Sequence, residues 1–246
     1  MPSHLFTFDH LRHLYLAHVF INLPPAFKGF SRLLRLDLVN VVIAPAEFKM
    51  LISKSPMLEY IDLEDLYNHT GELEIDAPNL KSFASLFFAK GGHSQNHPWY
   101  FNHLTDLSLS LILFRYIVEV KCALCLIRSS PNLQSLKIES STSSKADMET
   151  ATQYLKTQQK HKIPLGRLKI VKISSISGLE PEMEFEKLLL LKATALRKLE
   201  FRSAYEAEEE ARSNMLSNWL VSIEHHPRLR SYLEIFDIHR LNRFPW

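Results

Sequence analysis

The chain has 246 residues, 46% of them hydrophobic, with 29 basic and 27 acidic side chains and a formal net charge of +2. This hydrophobic fraction supplies a large folded core and is too high for a disordered chain. The near balance of charge gives no reason to expect a nucleic acid or an anionic membrane as a partner.

The cysteine content and the N-terminal sequence favour an intracellular protein. Two cysteines, Cys122 and Cys125, argue against a secreted disulfide scaffold. The first ten residues do not combine a basic segment with a long apolar run, so we expect no signal peptide. No stretch reaches the ~20 apolar residues that a membrane-spanning helix needs. We therefore expect a cytoplasmic or nuclear protein with no membrane partner.

The dominant pattern along the chain is the phrase Leu-x-x-Leu-x-Leu, in which isoleucine or valine replaces some leucines. Its clear copies begin at Leu11, Leu33, Leu58, Leu104, Leu133 and Leu168, and weaker copies begin at Leu80 and Leu196. Successive copies lie 22 to 29 residues apart, except for one interval of 35 residues. This spacing is typical of leucine-rich repeats.

The repeats predict strands that alternate with helices. Between the strands, apolar side chains follow helical spacing in residues 45–52 and again in residues 117–127. The phrase Ser-Pro-x-Leu follows both segments and ends each helix, because proline cannot continue it. We expect an α/β fold, namely a curved leucine-rich-repeat solenoid of roughly eight units. Its mostly parallel sheet would line the concave side, with the helices on the convex side.

Domain boundaries are predicted where the pattern changes. We assign residues 1–139 to leucine-rich repeats and residues 140–163, which contain polar stretches, to an exposed insertion. This insertion is expected to hold one loose helix near Met148–Gln158. Residues 164–238 form a further set of C-terminal repeats, and residues 239–246 form a tail.

Four longer phrases occur in a characteristic order. They are LEIDAPNLKSF (Leu73–Phe83), LKIVKISSISG (Leu168–Gly178), EMEFEKLLLLKATALRKLEF (Glu182–Phe201) and HHPRLRSYLEIF (His225–Phe236). The first is similar to a mid-repeat phrase, and the other three are similar to an FBD region. In this order they resemble the plant F-box/FBD/leucine-rich-repeat family, and the resemblance assigns residues 164–238 to FBD-like repeats.

The resemblance implies the substrate-recognition half of an SCF-type ubiquitin-ligase receptor. Members of this family begin with an F-box, a helical segment that docks onto the Skp-type adaptor of a cullin–RING ligase. Only ten residues precede Leu11, so we expect this chain to lack that segment and not to bind the adaptor directly. The alternative is a leucine-rich-repeat scaffold unrelated to ubiquitination. An extracellular receptor fragment is disfavoured, because the Gly-x-Ile-Pro phrase of such repeats is missing.

Motifs of catalysis and metal binding are weak or missing. Cys122 and Cys125 have the spacing of a redox or zinc pair, but their apolar helical context favours buried structural cysteines. His93, His97 and His103 lie in or beside one loop without a completing acidic cluster, which favours an ordinary surface loop. Signatures of hydrolases, zinc proteases and nucleotide-binding loops do not occur. We therefore expect no enzyme, no cofactor and no metal.

Partner binding is expected on the exposed face of the strands, where side chains alternate with the buried leucines. The partner would be a protein of unknown identity. The expected contact residues are His13, Tyr15, Arg35, Asp37, Tyr60, Asp62, Glu64, Asp106, Lys137 and Glu139. The alternation continues in later strands with Lys172, Lys198, Glu200 and Arg202. A solvated strand face without a partner is the alternative at each position.

The two ends of the solenoid need cover, because a terminal repeat leaves one side of its core without a neighbour. At the N-terminal end we expect Leu14, Leu16 and Ile21 to be imperfectly covered. At the C-terminal end, Trp219, Ile223, Leu233 and Ile235 are expected to close the core.

Overall fold

The computed structural model describes residues 6–8, 10–67, 75–86, 101–141, 148–204 and 233–236. Within these ranges the strands are β1 (His13–Ala17), β2 (Arg35–Val42), β3 (Tyr60–Tyr67), β4 (Ser82–Leu86), β5 (Asp106–Ile112), β6 (Ser135–Ser140), β7 (Ile170–Ile176), β8 (Lys198–Ser203) and β9 (Leu233–Phe236). The helices are α1 (Pro45–Ser53), α2 (Ile117–Arg128), α3 (Met148–Gln158) and α4 (Glu180–Lys192). All nine strands form one parallel sheet in sequence order, which confirms the predicted α/β solenoid.

Equivalent residues of successive repeats lie side by side in the sheet. Leu14 pairs with Leu36, Leu36 with Ile61, and Ile61 with Phe83. The same row continues through Leu107, Leu136, Val171 and Leu199. Every side chain in this row is 4% exposed or less, so the second apolar position of the repeated phrase forms a continuous core.

Each repeat is joined to the next by a backbone carbonyl that accepts two hydrogen bonds. The carbonyl of Arg12 accepts from the amides of Leu34 at 2.8 Å and Arg35 at 3.0 Å. The arrangement recurs at the carbonyls of Leu34, Glu59, Lys81, Thr105, Gln134 and Lys169. Because the donating amides stand at the start of each strand, the shared carbonyl sets the register of that strand.

The phrase Ser-Pro-x-Leu ends two helices as predicted. The hydroxyl groups of Ser55 and Ser130 donate hydrogen bonds to the carbonyls of Leu51 and Leu126, at 2.8 and 2.7 Å. Both serines are buried, so these bonds satisfy carbonyls that the helix ends would leave unpaired. The following turn leads the chain directly into the next strand.

A left-handed backbone residue recurs seven positions after the first leucine of the phrase. It is found at His18, Asn40, Asp65, Leu111 and Ser175, with φ between 49° and 58°. Asparagine, aspartate and histidine adopt this conformation more readily than other residues with a side chain. The first three repeats therefore use suitable residues here, while Leu111 and Ser175 lie where the strand pairing shifts register.

In three helices the third residue is a glutamate that accepts hydrogen bonds from backbone amides N-terminal to the helix. Glu47 of α1 accepts from the amide of Leu23 at 2.9 Å, and Glu119 of α2 accepts from that of Leu113 at 2.6 Å. Glu182 of α4 accepts from two amides of the preceding loop, at 3.1 and 2.9 Å. A negative charge at this end of a helix also interacts favourably with the helix dipole.

The helix α3 is more tightly packed than the sequence indicates. Its bounds agree with the expected helix, but Ala151, Thr152 and Leu155 are buried, and the helix contacts α4. The expectation of a loose helix in an exposed insertion is therefore wrong for this element. Its buried side combines the apolar Ala151 and Leu155 with the polar Thr152 and Gln158, and this short row is enough to attach it to the core.

The N-terminal repeat is also better covered than expected. The side chains of Leu14, Leu16 and Ile21 are 4%, 8% and 4% exposed, so the expectation of imperfect cover is wrong. Phe6 lies against Phe27 and Phe30, with ring centroids 5.7 and 6.2 Å apart, and these rings belong to the same core cluster. Of the expected closing residues, Leu233 and Ile235 lie on β9, opposite Leu199 and Phe201 of β8, whereas Trp219 and Ile223 lie outside the described residues.

The core row predicts a large cost for cavity formation. We expect Leu136→Ala to lower the free energy of unfolding by about 2–5 kcal/mol, because the side chain is fully buried. Urea unfolding followed by circular dichroism measures this change. The control is Leu191→Ala on α4, where the side chain is 54% exposed and the loss should be about 0.5 kcal/mol or less. Equal losses would contradict the described packing.

Candidate protein-interaction surface

The exposed face of the sheet carries the side chains that alternate with the buried row. Because the strands stack in register, these side chains also form rows across the sheet. One row comprises His13, Arg35, Tyr60, Ser82, Asp106, Ser135, Ile170 and Lys198. The next comprises Tyr15, Asp37, Asp62, Ala84, Ser108, Lys137, Lys172 and Glu200.

Eight of the ten predicted contact residues belong to these two rows. The remaining two, Glu64 and Glu139, lie two residues further along their strands, opposite Val39 and Ser174. The predicted residues thus lie together on one face of the sheet, and their role in binding remains a prediction. Tyr15 at 64% exposed and Tyr60 at 40% are the large hydrophobic side chains among them.

The half of this face formed by β1 to β4 has more acidic than basic side chains. Arg35 donates through Nε to both carboxylate oxygens of Asp37, at 3.0 and 2.8 Å. Asp62 lies beside Asp37 in the pairing register. Burial, together with the negative charge of Asp37, raises the pKa of Asp62, and the positive charge of Arg35 only partly opposes this. The single positive charge of Arg35 therefore only partly neutralises the negative charges of Asp37 and Asp62.

The half of the face formed by β5 to β8 contains a carboxylate between two lysines. Glu200 has a side chain only 6% exposed and accepts from Lys172 at 2.8 Å and from Lys198 at 2.6 Å. Burial by itself would raise the pKa of Glu200, but the hydrogen bonds and positive charges of both lysines lower it to about 2. This pairing holds both lysines on the face.

A pocket of about 330 Å³ opens on the same half of the sheet, over β5 to β8. Its charged lining residues are Lys137, Glu139, Lys172, Glu200 and Arg202. Lys137 is exposed, and none of the ion pairs among the described residues involves it. The pocket is therefore suited to a negatively charged or hydrogen-bonding side chain of a partner.

Three of the lining residues, Lys172, Glu200 and Arg202, were not among the ten predicted contacts, and neither was Lys198 beside them. Their alternation with buried residues placed them on the exposed face. The convergence of Lys172 and Lys198 on one carboxylate depends on the pairing of β7 with β8. The cluster of Lys172, Lys198 and Glu200 therefore follows from the strand pairing and cannot be read from the composition of either strand alone.

The cysteine and histidine motifs contribute no site within the described residues. Cys122 is buried, and burial followed by the charges of Cys125 and Glu119 raises the pKa of its thiol to about 11. No group of three histidine, cysteine or carboxylate side chains in the described ranges could hold a metal ion. His93 and His97 lie outside those ranges. None of the described helices is long and apolar enough to cross a membrane.

The in-register parallel strands, their repeated turns and the exposed side-chain rows define a leucine-rich-repeat protein. Residues 1–92 match the family model described as the leucine-rich repeats of the FBD-associated F-box protein At5g56370. The chain is also 26% identical, over an alignment of 275 residues, to the F-box/FBD/LRR-repeat protein At1g13570 of Arabidopsis thaliana. These matches confirm the resemblance to the F-box/FBD/leucine-rich-repeat proteins. The alignment covers 88% of this chain and 65% of the Arabidopsis protein.

The Glu200 pair predicts a pH-dependent contribution to stability. We expect Glu200→Gln to lower the free energy of unfolding by about 1–3 kcal/mol at pH 7, because the two lysines lose their shared anion. The pKa of Glu200 is lowered from 4.5 to about 2 in the folded chain. The difference should therefore be complete above about pH 5 and should shrink as the pH falls from 4.5 toward 2.

Urea unfolding at pH 7 and pH 3 measures this difference. Glu180→Gln is the matched control, because Glu180 forms an ion pair with Lys156 but its side chain is 62% exposed. Its cost should be about 1 kcal/mol or less at both pH values. A Glu200→Gln cost that is the same at pH 7 and pH 3 would contradict the assigned ion pairs.

Proposed function

We propose that the chain is a protein-interaction module that binds a partner protein on the exposed face of its sheet. We further propose that it serves as the substrate-recognition part of an SCF-type ubiquitin-ligase receptor in the cytoplasm or nucleus. The observation that carries the first proposal is the in-register face itself. It presents the exposed tyrosines Tyr15 and Tyr60 together with incompletely compensated charges on adjacent strands.

The physical argument for binding is preorganisation. Side chains on paired strands are already ordered, so a partner loses less conformational entropy when it binds them than when it binds a mobile loop. Exposed tyrosines are frequent anchors of interfaces, because they combine a large apolar area with one polar group. The face therefore favours a binding role over catalysis, which would need a nucleophile, an acid–base pair or a metal.

The receptor role is supported by the similarity to F-box proteins. We propose that this chain does not itself contact the Skp-type adaptor, because the described elements from β1 to β8 are all part of the repeat fold. The alternative function is a leucine-rich-repeat scaffold without a link to ubiquitination. The receptor role predicts that the abundance of the bound partner rises when the gene is removed, and the scaffold role predicts no change.

The binding role predicts that the two tyrosines are needed for partner recovery. The full chain would be used for affinity capture from plant tissue, with the captured proteins quantified by mass spectrometry. We expect Tyr15→Ala combined with Tyr60→Ala to reduce recovery of the specific partner by at least about tenfold, because each side chain is a candidate anchor. Tyr116→Ala, at a residue 38% exposed beside α2, is the control and should leave recovery unchanged. Equal recovery with all variants would refute the proposal.

A further inference from the structure

Charge is divided between the two halves of the exposed sheet face. On β2 and β3, three carboxylates, Asp37, Asp62 and Glu64, accompany one cation, Arg35. On β5 to β8, four cations accompany three carboxylates. The cations are Lys137, Lys172, Lys198 and Arg202, and the carboxylates are Asp106, Glu139 and Glu200. The face therefore has an acidic end and a basic end, although the whole chain carries only +2.

The contacts within each end do not remove this division. At the acidic end, Arg35 is bonded to Asp37, while Asp62 and Glu64 have no ion pair among the described residues. At the basic end, Lys172 and Lys198 share the single carboxylate of Glu200. Lys137 has no ion pair within the described ranges. Each end therefore attracts an opposite charge from outside the fold.

The sheet sets the distance between the two ends. Neighbouring strands lie about 4.8 Å apart, so the three or four strand spacings from β3 to β6 or β7 amount to about 15–20 Å. An extended polypeptide covers that distance with about five or six residues, at about 3.3 Å per residue. An α-helix would need about ten to thirteen residues for the same span.

The sheet surface between the two charged ends carries small side chains. Ala84 and Ser108 continue the row that joins Asp62 to Lys137, and both have small side chains. A chain that crosses the sheet here can approach the strands closely, and the pocket over β5 to β8 can receive a side chain at its basic end. Small residues between two charged ends favour an extended segment over a broad, flat protein surface.

We propose that the exposed face binds an extended polypeptide segment that carries basic residues at one end and acidic residues at the other. The basic residues lie over Asp62 and Glu64, and the acidic residues lie over Lys137 and Lys172. The two charged groups of the segment are separated by about four or five uncharged residues. This inference rests on the proposed binding function and specifies the chemistry of the partner.

The probe is a fluorescein-labelled peptide with three lysines and three aspartates separated by about five uncharged residues. A second peptide has the same composition, but its lysines and aspartates alternate. Fluorescence anisotropy would measure the binding of both to the full chain at low ionic strength, where screening is weak. We expect the first peptide to bind at least about fivefold more tightly, and the difference to decrease as salt is added.

Two charge reversals test the assignment of the ends. We expect Lys137→Glu and Glu64→Lys each to weaken binding of the first peptide by about fivefold, because each replaces an attraction with a repulsion. Lys160→Glu and Asp76→Lys make the same changes in net charge at exposed residues outside the rows of this face. These two controls should leave binding unchanged.

Several outcomes would overturn the inference. They are equal binding of the two peptides, failure of both to bind, or equal effects of the face variants and their controls. Self-association of the chain that Lys137→Glu abolishes would identify a second copy as the occupant and would also overturn it. Partner recovery that depends on Tyr15 and Tyr60 but not on Lys137 would leave the proposed function intact while refuting the charged segment.

Discussion

In the described part of the chain, seven backbone carbonyls each accept hydrogen bonds from two successive amides of the next repeat. One such carbonyl, that of Leu34, receives the amides of Glu59 and Tyr60 at 2.9 and 3.0 Å. Since side chains alternate between the two faces of a strand, a shift by one residue would exchange the core and the exposed face. The buried leucine row therefore requires the same register as the hydrogen bonds to the shared carbonyls. Because the two agree, both stabilise the stack of repeats.

The exposed face is a consequence of that register. A single strand presents two or three outward side chains, which is too little surface for a specific interface. Stacking places Asp37 beside Asp62, and Lys172 beside Glu200, although these residues are 25 and 28 positions apart in the chain. The charge pattern of the face, with Asp62 opposed by Asp37 and Glu200 held by two lysines, arises only after the repeats are stacked.

The sequence predicted the parts of the fold that repeat and missed parts that depend on contacts between repeats. The leucine phrase predicted the strands, and proline with helical spacing predicted α1 and α2, because both signals are local. The glutamates Glu47, Glu119 and Glu182 were not predicted, since their role is visible only when the helix start meets a loop from earlier in the chain. The ten predicted contacts lie on one face, but the pairing of Lys172 and Lys198 with Glu200 required the register.

Amide hydrogen exchange at the shared carbonyls tests the account most directly. If these carbonyls hold the repeats in register, the amides of Arg35, Tyr60, Ser135 and Ile170 exchange only when neighbouring repeats separate. We expect all four to be strongly protected and to lose protection together as urea is added. Exchange at these amides as fast as at the exposed turn residue Asn102 would contradict the account, because the stack would then be held by side-chain packing alone.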